Sequence, residues 1–428
     1  MRFLLVPAVM AGALAQANDA SSPESTSLDQ IKQRAIEDLA GAPNYVCVDS
    51  IERSLWIPGK RQFRRLDRVH VEATHVEGAD RFSWLGNSIF ESRNPTAMVG
   101  YGASFGGSFA DNRGLVFTST GTKISYAGRV MMNGRLALRY DYYAPSGALT
   151  VTNGNQSGYA AARGSFWVDS ETLDLLQIDI EAYAIPSRLE IQSMSDRTMY
   201  WRALIGKRVA LLARNSEFRL TEANGTLRRN ASVFSNCREY TADSTLSFES
   251  IPTAQLPPPV KESHVPRGLQ LQLVLDKTLD ATEAAVGDPI RAHVLQGDGD
   301  LPRGAHVYGR VNRIINFNDQ IPLPKPEHHL PTPKEAVWGQ HTGEVLIQIE
   351  FQQIEYRRTR TPFAARLIDL ESPPGRRDAK IRSFGHLDGD VVRYDPPGTA
   401  SMYVSQESPV LGRGVIMHWV TTSEGDLH

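Results

Sequence analysis

Apolar and polar residues alternate one by one along much of the chain from Tyr45 onward. Apolar side chains occupy every second position in the segments 136–142 and 176–180, with polar or small residues between them. Successive side chains of a strand point to opposite faces, so this alternation is typical of a sheet with one buried and one solvated face. Residues 169–172, Asp-Ser-Glu-Thr, lie between two such segments and predict a turn. The region therefore predicts a long antiparallel sheet.

One segment near the start has helical instead of alternating periodicity. Its apolar residues recur three or four positions apart, at Leu28, Ile31, Ala35 and Leu39. Ser27 and Gln30 have the spacing of a capping box, which predicts that the helix begins at Ser27. Gly41 and Pro43 predict its end. We expect this helix to pack on the sheet.

A second set of alternating segments follows a run rich in proline. Prolines 252, 257, 258 and 259 predict a stiff extended linker over 251–264. Beyond it, 269–275 and 345–351 alternate again, with turn signals between short strands. Such a pattern indicates a small barrel or sandwich. The predicted fold is mainly β, with a sheet domain at 28–250 and a barrel at 265–420, and the linker leaves their relative orientation open.

Composition and charge remove some classes of function. Hydrophobic residues make up 41% of the chain, which is ample for packed cores, and the 25 prolines and 34 glycines favour many turns. The formal net charge of −2 gives no basic surface of the kind that nucleic acid requires. We therefore expect no nucleic-acid partner.

The first residues have the features of a secretory signal. Met1 and Arg2 precede a short apolar run to Leu14, and Ala13-Leu14-Ala15 is a small-x-small cleavage site, so 1–17 is the predicted signal and cleavage region. The run is too short to cross a bilayer, which needs about 20 apolar residues. The alternative is an ordinary buried N-terminal strand or helix. The first interpretation predicts a periplasmic or otherwise exported protein that is soluble after cleavage.

The chain has two cysteines, Cys47 and Cys237. In an oxidising compartment two lone cysteines pair, and this bond would close a loop of about 190 residues between the first and last strands of the sheet domain. The alternative, a zinc or redox site, has no C-x-x-C motif or second ligand pair in its favour. We predict a disulfide.

The second half resembles the TrbI-type β-barrel of type IV secretion and conjugation channel subunits. The matching motifs, in order, are Pro266-Arg267-Gly268, Val286-Gly287-Asp288-Pro289, Pro302-Arg303-Gly304 and Gly309-Arg310-Val311. Each Pro-x-Gly turn leads into a strand, and a glycine within a strand lets a barrel bend. Channel-forming members add a membrane anchor and an inserting helix, and neither pattern occurs here. The resemblance therefore implies a barrel used as a scaffold.

The first half resembles the LolA-like periplasmic lipoprotein carriers. The shared features are a signal peptide, an N-terminal helix and a run of amphipathic strands over 28–250, including Gly164 to Asp169. Carriers of this kind wrap an open antiparallel half-barrel around helices and keep an apolar cavity for lipid chains. The resemblance implies a curved sheet packed on a helix, with a hydrophobic ligand inside it.

Four large residues are candidates for the wall of such a cavity, and they are Trp84, Phe166, Trp167 and Tyr183. Trp167 and Tyr183 are amphipathic and suit a cavity mouth. The alternative is ordinary core packing, which is the usual role of such residues. A basic run at 61–68, with arginines at 61, 64, 65 and 68, either contacts anionic groups of the envelope or forms a solvated hairpin.

Enzymatic and metal-binding patterns are few. Gly102-x-Ser104-x-Gly106 matches the nucleophile elbow of α/β-hydrolases, but residues 108–112 are a poor helix start and the alternating α/β pattern is absent. His306, His328, His329 and His341 lack the spacing of metal ligands. We expect no enzyme activity, cofactor or metal.

Three functions follow from these observations. The first is a carrier that holds a lipid or other hydrophobic ligand in the sheet domain and docks onto an envelope protein through the barrel. The second is a structural or interaction protein with two filled cores. The third is a serine hydrolase using Ser104, which needs a histidine near that hydroxyl. An open apolar concavity distinguishes the first from the second.

Overall fold

The computed structural model describes most of the chain from residue 23 onward. The described residues are 23–87, 90, 92, 98–99, 111–153, 156–240, 265–298, 301–316, 343–356, 359–371, 382–383, 386–388, 391–393 and 395–422. Some predictions fall outside these ranges, namely the signal region 1–17, Ser104, the linker 251–264, and His328, His329 and His341.

Two α-helices precede most of the strands. Helix α1 spans Pro23–Ala40 and α2 spans Asp111–Phe117. The predicted start of α1 at Ser27 was wrong, because the fixed φ of proline suits the first helical position and the helix begins at Pro23. The expectation that 108–112 starts no helix was also wrong from Asp111 onward. Neither helix is long and apolar enough to cross a membrane.

The mainly β fold is confirmed, and its first half is a half-barrel of ten antiparallel strands. The spatial order is β3-β2-β1-β10-β9-β8-β7-β6-β5-β4. The strands are β1 Tyr45–Trp56, β2 Arg64–Val76, β3 Ala79–Trp84, β4 Lys123–Met132, β5 Arg135–Asn153, β6 Gln156–Asp169, β7 Leu175–Tyr183, β8 Ile191–Ile205, β9 Arg208–Glu222 and β10 Leu227–Glu239. A short 3₁₀ helix, Ser187–Leu189, precedes β8.

The turn predicted at 169–172 connects β6 to β7. The carboxylate of Asp169 accepts hydrogen bonds from the backbone N–H groups of Glu171 and Thr172, at 2.9 and 3.1 Å. An aspartate that bonds its own backbone two residues on is a common way to form a turn. The alternating pattern and the turn signal therefore predicted this hairpin correctly.

The two helices cover the inner face of the half-barrel. Ile31 and Ala35 of α1 are buried in the main core, and α2 contributes Leu115, Val116 and Phe117 to it. Helix α1 is also tied down by ion pairs, since Arg202 on β8 donates to both carboxylate oxygens of Asp38 at 2.6 and 2.8 Å. The core therefore lies between one curled sheet and two helices.

The first and last strands of the half-barrel lie side by side. Strand β1 pairs with β10 from Tyr45↔Glu239 to Trp56↔Leu227, with β2 on its other side. The predicted disulfide is present, and Cys47 and Cys237 bridge these two strands across 190 residues of sequence. The bond joins the two chain ends of the half-barrel.

The second sheet has nine strands, in the order β17-β23-β11-β13-β14-β15-β21-β18, with β16 paired to β15. The end strand β17 lies close to β18 and β21 at the other end, so the sheet curls into a barrel. Its strands and the four short flanking ones are β11 Gln270–Leu275, β12 Leu279–Asp280, β13 Pro289–Gly297, β14 His306–Asn316, β15 Glu344–Tyr356, β16 Thr359–Pro362, β17 Ala365–Glu371, β18 Arg382–Ser383, β19 His386–Asp388, β20 Val391–Arg393, β21 Thr399–Ser405, β22 Val410–Leu411 and β23 Ile416–Thr421.

A backbone junction connects the half-barrel to the barrel. Strand β3 covers β2 only from Val71 to Val76, and Val286 takes the adjacent position beside Val69 in a parallel bridge. The N–H of His70 donates to the carbonyl of Val286, and the N–H of Val286 donates to the carbonyl of Arg68, both at 2.8 Å. The barrel therefore extends the edge of the first sheet, and the orientation that the sequence left open is set by direct contacts.

Side chains on both sides strengthen this junction. His70 Nδ1 lies 2.6 Å from a carboxylate oxygen of Asp288, and Arg65 and Arg68 donate to the carbonyls of Thr282 and Glu283 at 3.1 and 3.2 Å. Two residues of the basic run thus bond backbone carbonyls of the second half. Val286 is fully buried in the core of the half-barrel.

Gly287 makes the close approach possible. Its φ is +94°, and a Cβ at this position would lie 2.6 Å from Cε3 of Trp84 and collide with the carbonyl of His70. Arg310 of the barrel lies over the same indole, 4.8 Å from its ring, and pairs with Glu350. Gly287 is part of the Val-Gly-Asp-Pro motif, so this motif docks the two halves together.

We expect the double substitution Cys47→Ser with Cys237→Ser to lower the free energy of unfolding by up to about 5 kcal/mol, since it releases a long loop in the unfolded chain. Guanidinium unfolding with and without dithiothreitol measures the effect. The wild type should lose stability in the reductant, and the double variant should not respond to it. Equal stability of the oxidised wild type and the double variant would contradict this prediction.

We expect Gly287→Ala to loosen the junction, because the added methyl group meets Trp84 and the His70 carbonyl. The matched control is Gly304→Ala, at a glycine with a φ of +87° and no atom within 4 Å of the added Cβ. Both variants carry backbone strain of about 1–3 kcal/mol. Only Gly287→Ala should increase the radius of gyration in small-angle X-ray scattering. The same compact radius for both variants would show that the junction tolerates the methyl group.

Candidate functional site

The inner face of the half-barrel carries a layer of aromatic side chains beneath α2. Tyr140 on β5 stacks on Phe166 on β6, with ring centroids 5.2 Å apart and an interplanar angle of 10°. Phe117 of α2 meets Phe166 edge-on at 5.1 Å, and Tyr126 on β4 meets Tyr140 at 5.5 Å. Offset and edge-on ring pairs are favourable beyond their buried area. The last residue of α2 is therefore anchored on an apolar floor.

A group of polar side chains lies at the other end of α2, and we call it the polar cluster: Asn112, Arg113, Asp196, Thr198 and Tyr200. All five are buried. Asn112 Nδ2 donates to Asp196 Oδ2 at 2.5 Å and to the hydroxyl of Thr198 at 2.9 Å. These bonds fix α2 to strand β8. The cluster is a polar site enclosed in an otherwise apolar core.

Arg113 is the most deeply buried charge of this cluster. Its side chain is 1% exposed, and Nη1 donates to the backbone carbonyl of Leu211 at 3.1 Å. The guanidinium lies over the ring of Tyr200, 5.8 Å from its centroid. Burial raises the pKa of the Tyr200 hydroxyl well above its usual range, so this ring is neutral and serves as a cation–π partner.

Asp196 is a buried carboxyl with one oxygen in use. Oδ2 receives the bonds from Asn112 and Thr198, whereas Oδ1 is buried and has no side-chain hydrogen-bond partner among the described residues. Desolvation by burial raises the pKa of Asp196 to about 6, against the lowering effect of those hydrogen bonds. The carboxyl therefore gains a proton under mildly acidic conditions.

A second buried carboxyl lies further along the inner face. Asp49 on β1 is 5% exposed, and it pairs in register with Val71 of β2 and Phe234 of β10. Burial raises the pKa of Asp49 to about 7, and a hydrogen bond with Ser232 opposes the shift only in part. Its Oδ1 has no hydrogen-bond partner. The half-barrel thus encloses two carboxyl groups that resist ionisation.

The four aromatic residues proposed from sequence occupy different places. Phe166 is in the aromatic layer of the core. Trp84 is 4% exposed and contacts the barrel at the junction. Trp167 is only partly buried beneath the guanidinium of Arg139, and Tyr183 is 49% exposed beneath that of Arg163. Trp84 and Phe166 belong to the same buried core, Trp167 and Tyr183 are more exposed, and the ligand-binding role of the four residues stays a prediction.

An open cleft of about 1070 Å³ lies between α1 and the neighbouring hairpins. Its lining is mostly polar: Asp29, Gln30, Gln33, Arg34, Glu37, Asp38, Leu173, Asp174, Arg202 and Val209. Arg34 and Arg202 both pair with Asp174, at 2.7 and 2.8 Å, so the positive charges of the cleft are already neutralised. The cleft is therefore an open groove lined mainly by charged and amide side chains, unlike the enclosed apolar pocket that suits a lipid chain.

Sequence reasoning missed the buried polar groups. Asp49 interrupts a row of inward side chains that includes Cys47 and Ile51, and an acidic residue in such a row was a usable signal. Asn112 and Arg113 gave no such signal, because α2 is only seven residues long and follows a glycine-rich stretch. Their burial depends on tertiary packing.

The metal-binding and hydrolase patterns of the sequence lie partly within the described residues. No group of three His, Cys, Asp or Glu residues suited to a metal ion occurs among them. His306 is the first residue of strand β14, with Nδ1 4.0 Å from Asp276. Ser104 lies outside the described residues, so the hydrolase interpretation stays a prediction.

Comparisons with known proteins give similarities of structure alone. No family model and no curated protein matches the sequence. One similar solved structure is described as an outer membrane lipoprotein-sorting protein domain from Vibrio parahaemolyticus, with 9% identity, 50% of this chain and 94% of that chain covered, and a TM-score of 0.24. Another is a DUF1329 family protein from Desulfovibrio piger, with 14% identity, 53% and 95% coverage, and a TM-score of 0.25. At these scores the similarities do not inform the function.

The raised pKa of Asp49 predicts a pH dependence of stability. A carboxyl whose pKa is higher in the folded state favours folding at low pH, and this contribution is lost as pH rises from about 4 to about 7. Asp49→Asn keeps the size and a hydrogen-bonding group but cannot ionise. The variant should therefore match the wild type near pH 4 and exceed it by a few kcal/mol above pH 7.

Urea unfolding at pH 4 to 8 measures this difference. The control is Asp141→Asn, at a carboxylate that is 45% exposed, which should leave the profile unchanged. If the free energy of unfolding has the same pH dependence in the wild type and in Asp49→Asn, the buried carboxyl does not limit stability at neutral pH.

Proposed function

We propose that the protein is an exported, non-enzymatic envelope protein whose half-barrel binds a lipid or other hydrophobic ligand and whose barrel docks onto another envelope component. The proposal rests on the way in which the inner face of the half-barrel is covered. Two helices cover the apolar inner face of the half-barrel, and one of them is only seven residues long. In a β-sandwich a second sheet covers the corresponding face. If α2 moves away, a ligand can replace the contacts that Leu115, Val116 and Phe117 make with the inner face of the sheet.

Further features support the compartment in this proposal. The disulfide between Cys47 and Cys237 agrees with folding in an oxidising space. The signal-like first residues indicate the same route, and the likeness of 28–250 to LolA-like carriers suggests a lipid as cargo. The TrbI-like motifs suggest that the barrel is a scaffold for contacts with other proteins. Burial of one methylene group contributes about 0.8 kcal/mol to the binding free energy, so burial of an alkyl chain is sufficient for measurable binding.

A second candidate is an interaction protein with no small ligand. The observation that favours it is the packing of the described core, where side chains of both helices fill the inner face and the open cleft is polar. An open apolar concavity, the distinguishing feature of a carrier, is not formed by the described side chains in this conformation. A carrier then has to open at α2 before it loads.

Ligand binding by the periplasmically expressed, purified full chain tests the proposal. We expect a co-purifying lipid in organic extracts by mass spectrometry, and saturable binding of a fluorescent alkyl probe. Phe117→Leu removes the ring that α2 sets against Phe166 and should strengthen probe binding several-fold. The matched control is Tyr159→Leu, at a ring that is 66% exposed.

The outcomes separate the two candidates. If the wild type and Phe117→Leu bind no probe and carry no lipid, the carrier function is wrong and the interaction protein remains. If Phe117→Leu and Tyr159→Leu change probe binding equally, the binding surface is not the one beneath α2.

A further inference from the structure

The buried guanidinium of Arg113 has no acidic partner among the described residues. It forms no ion pair with a described carboxylate, and its Nε is buried and has no hydrogen-bond partner. Arginine stays protonated in proteins, so this charge is not removed by a pKa shift. Among the described residues its hydrogen-bond and cation–π partners are the neutral carbonyl of Leu211 and the ring of Tyr200, and Tyr45 is a further neighbour.

These neutral contacts compensate only part of the cost of burying a charge. Moving an ion from water into a protein interior costs several kcal/mol after relaxation, and buried charges are normally paired. The molecule thus keeps an unpaired cation at the end of α2, the element that has to move for the half-barrel to load. A guanidinium with an unused N–H is well suited to a carboxylate or phosphate oxygen.

We propose that the ligand of the half-barrel is an anionic amphiphile whose head group pairs with Arg113. This inference rests on the proposed function and names the chemistry of the ligand. Arg113 and Phe117 are four residues apart, about one helical turn, so both ends of α2 face the same region of the sheet. The head group binds at Arg113 and the alkyl chain lies along the aromatic layer of Phe166 and Tyr140.

Asp196 is the negative charge nearest to this head-group site in the polar cluster. Its Oδ2 is held by Asn112 and Thr198, and its Oδ1 faces the interior without a side-chain partner among the described residues. An ionised Asp196 in the same cluster repels an anionic head group. Removing this charge should therefore strengthen the binding of an anion, whereas removing Arg113 should weaken it.

Equilibrium binding of probes with one twelve-carbon chain tests the inference. Dodecanoate and dodecyl phosphate carry an anion, dodecanol is neutral and dodecyltrimethylammonium is cationic, all below their critical micelle concentrations. We expect the wild type to bind the two anionic probes about tenfold or more tightly than dodecanol, since hydrogen bonds to charged groups have this strength. The cationic probe should bind most weakly. The relative affinity of the two anions tells whether a carboxylate or a phosphate head fits better.

Variants test whether Arg113 causes the preference for anionic probes. Arg113→Gln should lose the preference for anions and keep its affinity for dodecanol, and Arg113→Lys should keep part of the preference. Asp196→Asn should increase the affinity for dodecanoate several-fold and leave dodecanol unchanged. The matched control is Arg139→Gln, at a half-exposed arginine over Trp167, which should behave as the wild type. Circular dichroism melts establish that each variant is folded.

The wild type alone decides the inference if Arg113→Gln fails to fold. Equal affinity for dodecanoate and dodecanol would overturn the inference and leave the proposed function standing. Absence of binding to every probe would overturn the proposed function as well. A folded Arg113→Gln variant that retains the full preference for anions would show that another residue binds the head group.

Discussion

The pairing of β1 with β10 is the constraint on which the half-barrel depends. It places the first strand in the interior of the ten-stranded sheet, with β2 and β3 on one side and β9 to β4 on the other. Because β1 is central, both of its edges are hydrogen-bonded, and its inward side chains face the core from the middle of the sheet. The disulfide holds this pairing, so the curvature that encloses α1 and α2 is set at the point where the two chain ends meet.

The same arrangement leaves part of β2 uncovered, and the barrel uses that gap. Val286 bonds to the backbone at Val69 and His70, and Val311 bonds to Gly287 and Asp288 on the other side. One four-residue motif therefore satisfies backbone groups in both sheets. Unpaired strand edges are liabilities in β proteins, and this contact covers one without a further strand. Because Val286 of the barrel lies in the core of the half-barrel, the barrel forms part of the wall of the half-barrel.

The sequence predicted those features that depend on local patterns. Alternation, the Asp169 turn and the lone cysteine pair led to the mainly β fold, one hairpin and the disulfide. Features set by tertiary contacts were missed. The seven residues of α2 are too few for a periodic signal, and only the folded sheet buries Arg113. The contacts of the Trp84 ring with Arg310 and with the Gly287 turn at the junction were likewise not predicted, and its ligand-binding role stays a prediction.

The order of the strands has a consequence for how the chain reaches its native state. Strands that are neighbours in sequence pair from β1 to β3 and from β4 to β10, but the pairing of β1 with β10 joins segments about 190 residues apart. Closing such a loop costs about 2–3 kcal/mol more conformational entropy than closing a ten-residue one, and folding rates fall as contacts become less local. The β1–β2 hairpin therefore forms first with the other edge of β1 unpaired, and only β10 covers that edge. The half-barrel closes only after the chain has been synthesised as far as Cys237, so its covalent bridge is a late event in folding.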